Sequence, residues 1–301
     1  MGKRILITGA SGFIGSYLVK DLNDQELDFL AIDAKRIPGL SEDRQREVSL
    51  LEKGKLDNII KEYQPNVVIH LAAVASVTHE NVGEIYNVNV CGTANLLEAI
   101  KKNCPSKTRV ILVSTAGVYG NQDVELYEEN LPFNPANHYS YSKMVTEYLS
   151  RQYRDDMEII IVRPFNIIGA GQRDIFLIPK LVKCFADKKE VIQVGNIKSY
   201  RDYVDVQYCG EILKELILRN KVDFDILNIC SGIPCSGEMV IDMLKDITGF
   251  SPKVEISNEF VRQNEVWKMI GNPQRLLRFM NGRKGKDLRS ILVDMLEYYK
   301  V

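Results

Sequence analysis

Apolar and polar positions follow two recurring patterns along the chain. Short continuous apolar runs are typical of strands buried on both faces of a parallel sheet, and apolar residues three to four apart are typical of amphipathic helices. The predicted strands are Ile5 to Ile7, Phe29 to Ile32, Val67 to Leu71, Arg109 to Val113 and Met157 to Val162. The predicted helices are Phe13 to Leu22, Leu56 to Tyr63, Val82 to Asn103, Tyr141 to Tyr153 and Gly237 to Thr248.

Three glycines, Gly9, Gly12 and Gly15, follow the first predicted strand, where the first predicted helix begins. Glycines in this context permit a tight turn, close approach of the backbone to a pyrophosphate, and close packing of the helix on the strand. The amides and the positive dipole end of the helix N-terminus attract phosphate. The second predicted strand ends in Asp33, where a carboxylate can bind ribose hydroxyls. This context favours a dinucleotide site over a glycine loop without a ligand.

The choice of cofactor depends on the residues at the tip of the second strand. A carboxylate at Asp33 repels a 2′-phosphate, which favours NAD. Lys35 and Arg36 follow closely and can offset that repulsion, so NADP stays open. The other residues predicted to bind the cofactor lie in the glycine turn, at the end of the third strand and in a later helix, and they are Ser11, Phe13, Ile14, Leu71, Ala72, Ala73, Tyr139 and Lys143.

The regular alternation of strands and helices predicts an α/β fold with a doubly wound, Rossmann-type parallel sheet. Ligands of such sheets bind beyond the carboxyl ends of the strands. After residue 163 the alternation loosens, and we predict a smaller C-terminal lobe that binds substrate. The expected division is residues 1–163 for the dinucleotide-binding domain and 164–301 mainly for the substrate lobe. The boundary is soft, and part of 200–235 can return to the first domain.

A tyrosine and a lysine, Tyr139 and Lys143, are spaced to share one helix face. The lysine charge, and the charge of a nearby nicotinamide, favour the phenolate and are expected to bring the tyrosine pKa down toward neutrality. Thr115, at the end of the fourth predicted strand, can supply a hydroxyl to the same substrate oxygen. These three residues are the predicted catalytic group for moving the proton of an alcohol or ketone.

Composition excludes several other classes of protein. The 301 residues are 45% hydrophobic and 26% charged with a net charge of -1, which gives no indication of nucleic acid or of an anionic membrane as a partner. No leader or membrane span is recognisable, so a cytoplasmic protein is expected. With three histidines and six cysteines of irregular spacing, we predict reduced thiols and no metal. His70 is more simply a hydrogen-bonded histidine at a strand end than a ligand.

Together these residues resemble the extended short-chain dehydrogenase/reductases, specifically the nucleotide-sugar epimerases, dehydratases and 4-keto reductases. The resemblance covers nearly the whole chain. It rests on the glycine turn, on His-Leu-Ala-Ala at 70–73, on Asn-Val-Cys-Gly-Thr at 89–93, on Ser-Thr-Ala-Gly-Val-Tyr-Gly at 114–120, and on the Tyr139/Lys143 pair. It implies an enzyme that acts on a nucleoside-diphosphate sugar. It also implies a homodimer formed through Val82 to Asn103 and Tyr141 to Tyr153.

The resemblance also implies several binding residues in the second half of the chain. Phe165 and Asn166 occupy a turn that contacts nicotinamide and substrate in the family. Arg201 matches an arginine that holds the sugar-nucleotide diphosphate, in keeping with the preference of phosphate for bidentate arginine. Arg262 matches a second phosphate contact, although a surface salt bridge is an equally good interpretation of this residue.

Departures from the family pattern narrow the activity. The 4,6-dehydratases carry acids where this chain has Ala116 and Gly117, and the 3,5-epimerase/reductases carry a cysteine at the position of Gly117. Dehydration and epimerisation at C3 or C5 are therefore disfavoured. The reactions left are at C4: keto reduction, the reverse oxidation, or 4-epimerisation with retained NAD. A non-catalytic, dinucleotide-binding regulator is a less favoured alternative. The pattern is nearest to GDP-4-keto-6-deoxymannose reductases, which weakly favours a GDP-linked substrate.

Two further departures concern binding. Ser49 stands where the family usually has an acid that contacts adenine, and Asn281 to Gly285 replaces the family's Gly-Trp-x-Pro near the C-terminus. Adenine recognition is therefore expected to differ from the family pattern.

Overall fold

The computed structural model describes residues 2–75, 81–105, 107–257 and 266–300. Its strands are β1 (Ile5–Thr8), β2 (Phe29–Asp33), β3 (Gln45–Glu47), β4 (Val67–His70), β5 (Arg109–Val113), β6 (Glu158–Pro164), β7 (Asn166–Ile168), β8 (Val191–Val194), β9 (Tyr200–Asp205), β10 (Ile226–Ile229), β11 (Pro234–Ser236), β12 (Lys253–Ile256) and β13 (Lys268–Met269). Its α-helices are α1 (Phe13–Asp24), α2 (Lys53–Tyr63), α3 (Val82–Tyr86), α4 (Gly92–Asn103), α5 (His138–Ser150), α6 (Leu177–Ala186), α7 (Val206–Leu218), α8 (Gly237–Thr248), α9 (Gln274–Phe279) and α10 (Leu288–Tyr298).

Shorter helical turns complete the structure. The 3₁₀ helices lie at Glu42–Arg44, Ala116–Tyr119 and Arg151–Tyr153, and a π-helix at Asn87–Cys91 joins α3 to α4. The chain folds into two compact units. Unit 1 comprises Met1–Gly120, Pro132–Pro164 and Gly210–Leu227, and unit 2 comprises Asn121–Leu131, Phe165–Cys209 and Asn228–Val301.

Unit 1 is built around a seven-stranded sheet in the order β10-β6-β5-β4-β1-β2-β3. The pairings from β6 through β3 are parallel. In this register Thr8 lies opposite both Ile32 and His70, so the glycine turn, the tip of β2 and the end of β4 meet at one sheet edge. The predicted doubly wound, Rossmann-type fold is confirmed.

The core of unit 1 explains why its strands could be recognised in the sequence. Every residue of β1, β4 and β5 is buried, because helices cover both faces of the sheet. One apolar cluster joins these strands to α2 and α4 through residues such as Leu56, Ile60, Leu96 and Ile100. Continuous apolar runs are the expected signature of this arrangement.

Several features of unit 1 differ from the pattern-based prediction, which contained neither α7 nor β10. The predicted helix over Val82 to Asn103 is divided by the π-helix, in which Asn89 is buried. Helix α5 begins at His138, earlier than predicted, because the Asn137 side chain caps it by accepting a hydrogen bond from the Ser140 amide at 2.9 Å. Strand β3 is short and polar, and its residues gave no apolar run to recognise.

Unit 2 is a mixed structure of short strands. Strand β9 is central: it pairs in parallel with β7 and β13 and antiparallel with β11. Strands β8 and β12 form a separate parallel pair. Helices α6, α8 and α10 pack on an apolar cluster that includes Phe185, Leu244 and Leu292. Among the described helices, none combines the length and apolar character that crossing a bilayer requires.

Candidate active site

The glycine turn of unit 1 is shaped so that side chains are excluded from it. Gly9 has a positive φ of 70°, and a Cβ atom there would lie 2.5 Å from the Ala72 nitrogen. A Cβ atom on Gly15 would overlap the Gly9 carbonyl oxygen. Helix α1 begins at Phe13 directly after the turn, and no side chain caps it. The turn therefore presents the uncapped first-turn amides of Phe13, Ile14 and Gly15, which suits a pyrophosphate.

Asp33, at the end of β2, faces this turn. One carboxylate oxygen accepts a hydrogen bond from the Ser11 amide at 2.9 Å, and the other accepts one from the Lys35 amide at 3.3 Å. A carboxylate has lone pairs for about four hydrogen bonds, so both oxygens can still accept hydroxyl hydrogens. Arg36 forms an exposed ion pair with Glu42. The turn and Asp33 thus fit the pyrophosphate and ribose of a dinucleotide, and their roles stay predictions.

The third side of the predicted cofactor site is the segment Leu71 to Ala73 after β4. The Leu71 amide donates to the Thr8 carbonyl at 3.1 Å, and the Ala72 amide donates to the Thr8 hydroxyl at 3.2 Å. Because Ala72 also lies against Gly9, the end of β4 and the glycine turn hold each other in place.

His70 is hydrogen bonded at both ring nitrogens. Its Nδ1 lies 2.7 Å from the Thr8 hydroxyl oxygen, and its Nε2 lies 2.8 Å from the Thr93 hydroxyl oxygen. The Thr93 hydroxyl donates its one proton to the Asn89 carbonyl, so it can only accept from the histidine. We infer the neutral tautomer protonated at Nε2. Burial lowers the pKa of His70 to about 3, which agrees with a neutral ring and confirms the interpretation as a hydrogen-bonded histidine.

The three predicted catalytic residues all belong to unit 1. Thr115 follows β5, and its hydroxyl accepts from the Gly117 amide at 3.1 Å. Tyr139 and Lys143 lie one turn apart in α5. The Lys143 ammonium is buried and donates to the Val113 carbonyl at 2.8 Å. The Thr115 side chain also interacts with the Tyr139 phenol, so the structure brings the hydroxyl and the phenol together.

The protonation states in this cluster differ from the expectation. Burial raises the pKa of Tyr139 to about 12, and the interaction with Thr115 opposes this only in part. Desolvation of the phenol, and not the charge of Lys143, sets the direction of this shift, and the Lys143 ammonium is directed to a carbonyl. The expected effect of the nicotinamide charge stays a prediction. Burial lowers the pKa of Lys143 itself to about 8, and the nearby charge of Glu147 opposes that shift.

Gly117 has no room for a side chain. A Cβ atom there would lie 2.5 Å from the Ser140 hydroxyl oxygen and 3.3 Å from the Thr115 hydroxyl oxygen. Ala116 is buried. Packing thus restricts a side chain at Gly117, one of the two positions at which the resemblance places acids or a cysteine in related enzymes.

The substrate-binding residues predicted from the resemblance belong to unit 2, as does Phe165. Asn166 in β7 pairs with Tyr203 of β9, two residues from Arg201. The Asn166 side-chain amide donates to the Asp202 carbonyl at 3.1 Å. Phe165 is buried, and its amide donates to the Ile229 carbonyl at 3.0 Å. Arg262 lies outside the described residues. The binding roles assigned to all four residues stay predictions.

Strand β9 is held by a buried carboxylate that sequence reasoning did not single out. Asp202 accepts hydrogen bonds from the amide and the hydroxyl of Ser231, both at 2.7 Å, and from the amides of Gly232 at 2.8 Å and Gly271 at 3.1 Å. These bonds tie two loops of unit 2 to the strand that carries Arg201.

Sequence reasoning also missed a buried ion pair in unit 1. Glu147 and Arg163 are almost fully buried, with two hydrogen bonds of 3.0 and 2.6 Å between guanidinium and carboxylate. The resemblance alone places Arg163 in a cofactor-proximal turn. The available signal was the position of Glu147, four residues after Lys143 on the same helix face.

The fold and this arrangement define an enzyme of the dinucleotide-dependent Rossmann type. The chain belongs to the NAD dependent epimerase/dehydratase family, which it matches over residues 5–230. It is 34% identical to GDP-6-deoxy-D-talose 4-dehydrogenase of Aggregatibacter actinomycetemcomitans, over 97% of this chain and 96% of that protein. It is 30% identical to GDP-6-deoxy-D-mannose reductase of Pseudomonas aeruginosa, over 92% and 90%.

A solved structure supports the same family. The structure of RMD from Pseudomonas aeruginosa complexed with NADPH superposes with a TM-score of 0.85 and 27% identity, over 100% of this chain and 98% of that one. The protein is thus an NAD(P)-dependent enzyme of the nucleotide-sugar epimerase, dehydratase and reductase group.

Proposed function

We propose that this enzyme reduces the 4-keto group of a GDP-linked 6-deoxyhexose, or oxidises the C4 alcohol in reverse, with NAD(P). The observation that carries the proposal is the hydroxyl pair of Thr115 and Tyr139, next to Ala116 and Gly117, which carry no acid or thiol. This set can move one proton at one substrate oxygen and offers no acid or thiol for dehydration. The 4-dehydrogenase and reductase to which the chain is similar act on GDP-linked 6-deoxy sugars, as their names state.

Each residue has a defined task in this proposal. When bound, the nicotinamide cofactor supplies the hydride for the substrate carbon. Tyr139 holds its proton at neutral pH because burial raises its pKa to about 12, so it can donate that proton to the 4-keto oxygen. The Thr115 hydroxyl orients the same oxygen, and the buried Lys143 ammonium, one helical turn from Tyr139, is held at the end of β5 by the Val113 carbonyl.

The expected cofactor is NAD rather than NADP. The Asp33 carboxylate is fixed toward the glycine turn by the Ser11 amide, where its charge would repel a 2′-phosphate. Arg36 is engaged by Glu42 and is therefore less available to compensate that charge. The neighbouring Lys35 is the remaining cation that can favour NADP.

The decisive experiment is a substrate panel. The purified protein is incubated with GDP-4-keto-6-deoxymannose and its UDP and dTDP counterparts, each with NADH or NADPH, while nicotinamide absorbance is followed and the C4 configuration of the product is determined by NMR. Oxidation of NADH that depends on the GDP-linked ketone is the expected result. Preference for a UDP- or dTDP-linked ketone would overturn the assignment of the nucleotide.

The same experiment tests the alternatives. A 4-epimerase uses the same residues but keeps its NAD, so it would purify with cofactor bound and interconvert C4 epimers with none added. A regulator would bind NADH without turnover of any sugar. Either outcome would replace the reductase assignment.

A further inference from the structure

Helix α5 carries a third ionisable residue, Glu147, on the face that holds Tyr139 and Lys143. Positions 139, 143 and 147 are each four residues apart, which places them one above the other along the helix. Glu147 has no exposed surface. A carboxylate placed there is costly unless it is fully bonded, so its partners are informative.

The partners of Glu147 come from two strands of the sheet. From β6, Arg163 donates to both carboxylate oxygens, at 3.0 and 2.6 Å. The Ser114 hydroxyl, directly after β5, donates to the same carboxylate. Lys143 donates to Val113, the last residue of β5. Lys143 and Glu147 of α5 thus both form hydrogen bonds at the end of β5, the strand that leads to Thr115.

Arg163 is in turn fixed by aromatic side chains. Its Nη1 donates to the Tyr119 hydroxyl at 2.9 Å, and its guanidinium carbon lies 4.8 Å from the centre of the Tyr119 ring and 5.0 Å from that of Phe133. The ion pair is therefore held on both sides, and it fixes the Glu147 carboxylate one helical turn from Lys143.

We propose that Glu147, bonded by Arg163, is a positioning residue that keeps the Lys143 ammonium charged and directed at the end of β5. The proposal rests on the proposed function, in which Lys143 acts as a cation. Burial lowers the pKa of Lys143, and the charge of Glu147 opposes that shift.

The other titratable groups around Lys143 do not take over this task. In the described part of the chain, His70 on β4 interacts with Lys143, but it is neutral because its pKa is about 3. Tyr139 stays protonated at neutral pH. Arg163 on β6 carries the same sign of charge as Lys143 and acts through Glu147. Glu147 is thus the anion that stabilises the charged lysine.

The test is the variant Glu147→Gln, which keeps the shape of the side chain and removes its charge. In the wild type, kcat/KM for the sugar and the affinity for NADH, which Lys143 is predicted to contact, are both expected to decline as pH rises through the pKa of Lys143, about 8. This decline is the alkaline limb of each pH profile. In Glu147→Gln, the anion is lost and the positive charge of Arg163 is left unbalanced. Both changes should lower the pKa of Lys143, so the decline of kcat/KM and of NADH affinity should move to lower pH by about one pH unit or more. NADH affinity is measured by fluorescence titration without sugar, so this readout is independent of the substrate assignment.

Three matched variants distinguish an effect of the Glu147 charge on Lys143 from a general loss of stability. Ser114→Ala removes a hydrogen bond to Glu147 without changing charge, and its limb should match the wild type. Glu147→Asp keeps the negative charge, so the pH of its limb should lie close to that of the wild type. The double variant Glu147→Gln/Arg163→Met removes the unpaired cation, so its melting temperature should recover relative to Glu147→Gln while the limb stays below that of the wild type.

The possible failures are distinguishable. If the limb of Glu147→Gln stays at the wild-type pH, or recovers together with the melting temperature in the double variant, Glu147 is only structural and the proposal is overturned. If no sugar is turned over by the wild type, the proposed function fails, and the NADH titrations still decide whether Glu147 controls Lys143.

Discussion

Tyr139 is buried enough to remain a phenol at neutral pH, and that state suits one direction of the proposed reaction. With a pKa of about 12, the side chain is a donor and a poor base. A proton donor is what a 4-keto oxygen requires during reduction. The spacing of Tyr139 and Lys143 identified the pair, but the sign of the pKa shift depends on desolvation by the folded chain, which spacing does not encode.

Replacement of the phenol hydroxyl tests this role directly. Tyr139→Phe is expected to lower kcat by at least about 10²-fold, because the proton donor is lost while the ring is kept. The dissociation constant for NADH should stay close to that of the wild type. Tyr141→Phe, two residues along the same helix at a side chain that is 44% exposed, is the matched control and should retain full activity. Equal turnover by Tyr139→Phe and the wild type would remove Tyr139 from the catalytic group.

The 3₁₀ helix Ala116–Tyr119 limits the reactions that the site can carry out, because its first two residues provide no acid or thiol. It packs against the start of α5, where Ser140 leaves no space over Gly117. Gly117→Ala should lower the free energy of unfolding by about 1–3 kcal/mol, the usual cost of overpacking, and should reduce kcat by displacing Thr115. Chemical denaturation and steady-state kinetics measure the two effects.

A second substitution checks the cause. Removal of the Ser140 hydroxyl in Gly117→Ala/Ser140→Ala opens the space that the new methyl group needs, so stability and activity should both recover toward those of Ser140→Ala alone. An additive loss in the double variant would show that contact with Ser140 is not the reason for the glycine.

The His70 network joins β1, β4 and α4 and makes the stability of unit 1 dependent on pH. The ring has a pKa of about 3 in the folded protein and an ordinary value of 6.5, so unfolding takes up a proton between these pH values. Stability is therefore greatest above pH 6.5 and falls as the pH decreases, by about 1.4 kcal/mol per pH unit from this group.

Denaturation measured between pH 7 and pH 5 tests this dependence. His70→Gln should be less stable than the wild type at pH 7, because the bonds to Thr8 and Thr93 are disturbed, but its pH slope should be flatter by the amount contributed by one histidine. His138→Gln, at a histidine at the start of α5 that is not buried, is measured alongside as the matched substitution. Identical slopes for His70→Gln and the wild type would contradict the buried neutral ring.

For the molecule as a whole, the sequence is informative where strands are continuously buried. The apolar runs of β1, β2, β4, β5 and β6 predicted the sheet of unit 1, whereas β3, a strand of three residues beginning at Gln45, has a polar sequence. Unit 2 is assembled from three separate stretches of the chain with strands of two to six residues, so no local period marks it. The Glu147–Arg163 pair joins residues 16 apart in the sequence and required the tertiary structure.

The assignment of cofactor binding and substrate binding to different units stays a prediction. We predict that the cofactor is held mainly by unit 1 and the sugar nucleotide mainly by unit 2, with Arg201 contacting the diphosphate. The cytoplasmic location also stays a prediction.

Association into a homodimer is the final prediction, and it concerns a surface of unit 1. Helices α4 and α5 pack together, and α5 exposes two large aromatic side chains, Tyr141 at 44% and Tyr148 at 49%. Tyr148 is held in place by the Phe133 ring at 5.2 Å and by Arg151 at 4.6 Å, so it is a preorganised contact. Rigid aromatic residues of this kind are enriched at protein interfaces.

Light scattering coupled to gel filtration tests the dimer at micromolar concentration. The wild type should elute with twice the mass of the chain, and Tyr141→Glu/Tyr148→Glu should elute as a monomer because two charges would be buried without partners. Tyr298→Glu, at a tyrosine of unit 2 that is 54% exposed, is the control for added charge and should remain dimeric. A monomeric wild type would refute the dimer, and a dimeric double variant would place the interface on another surface.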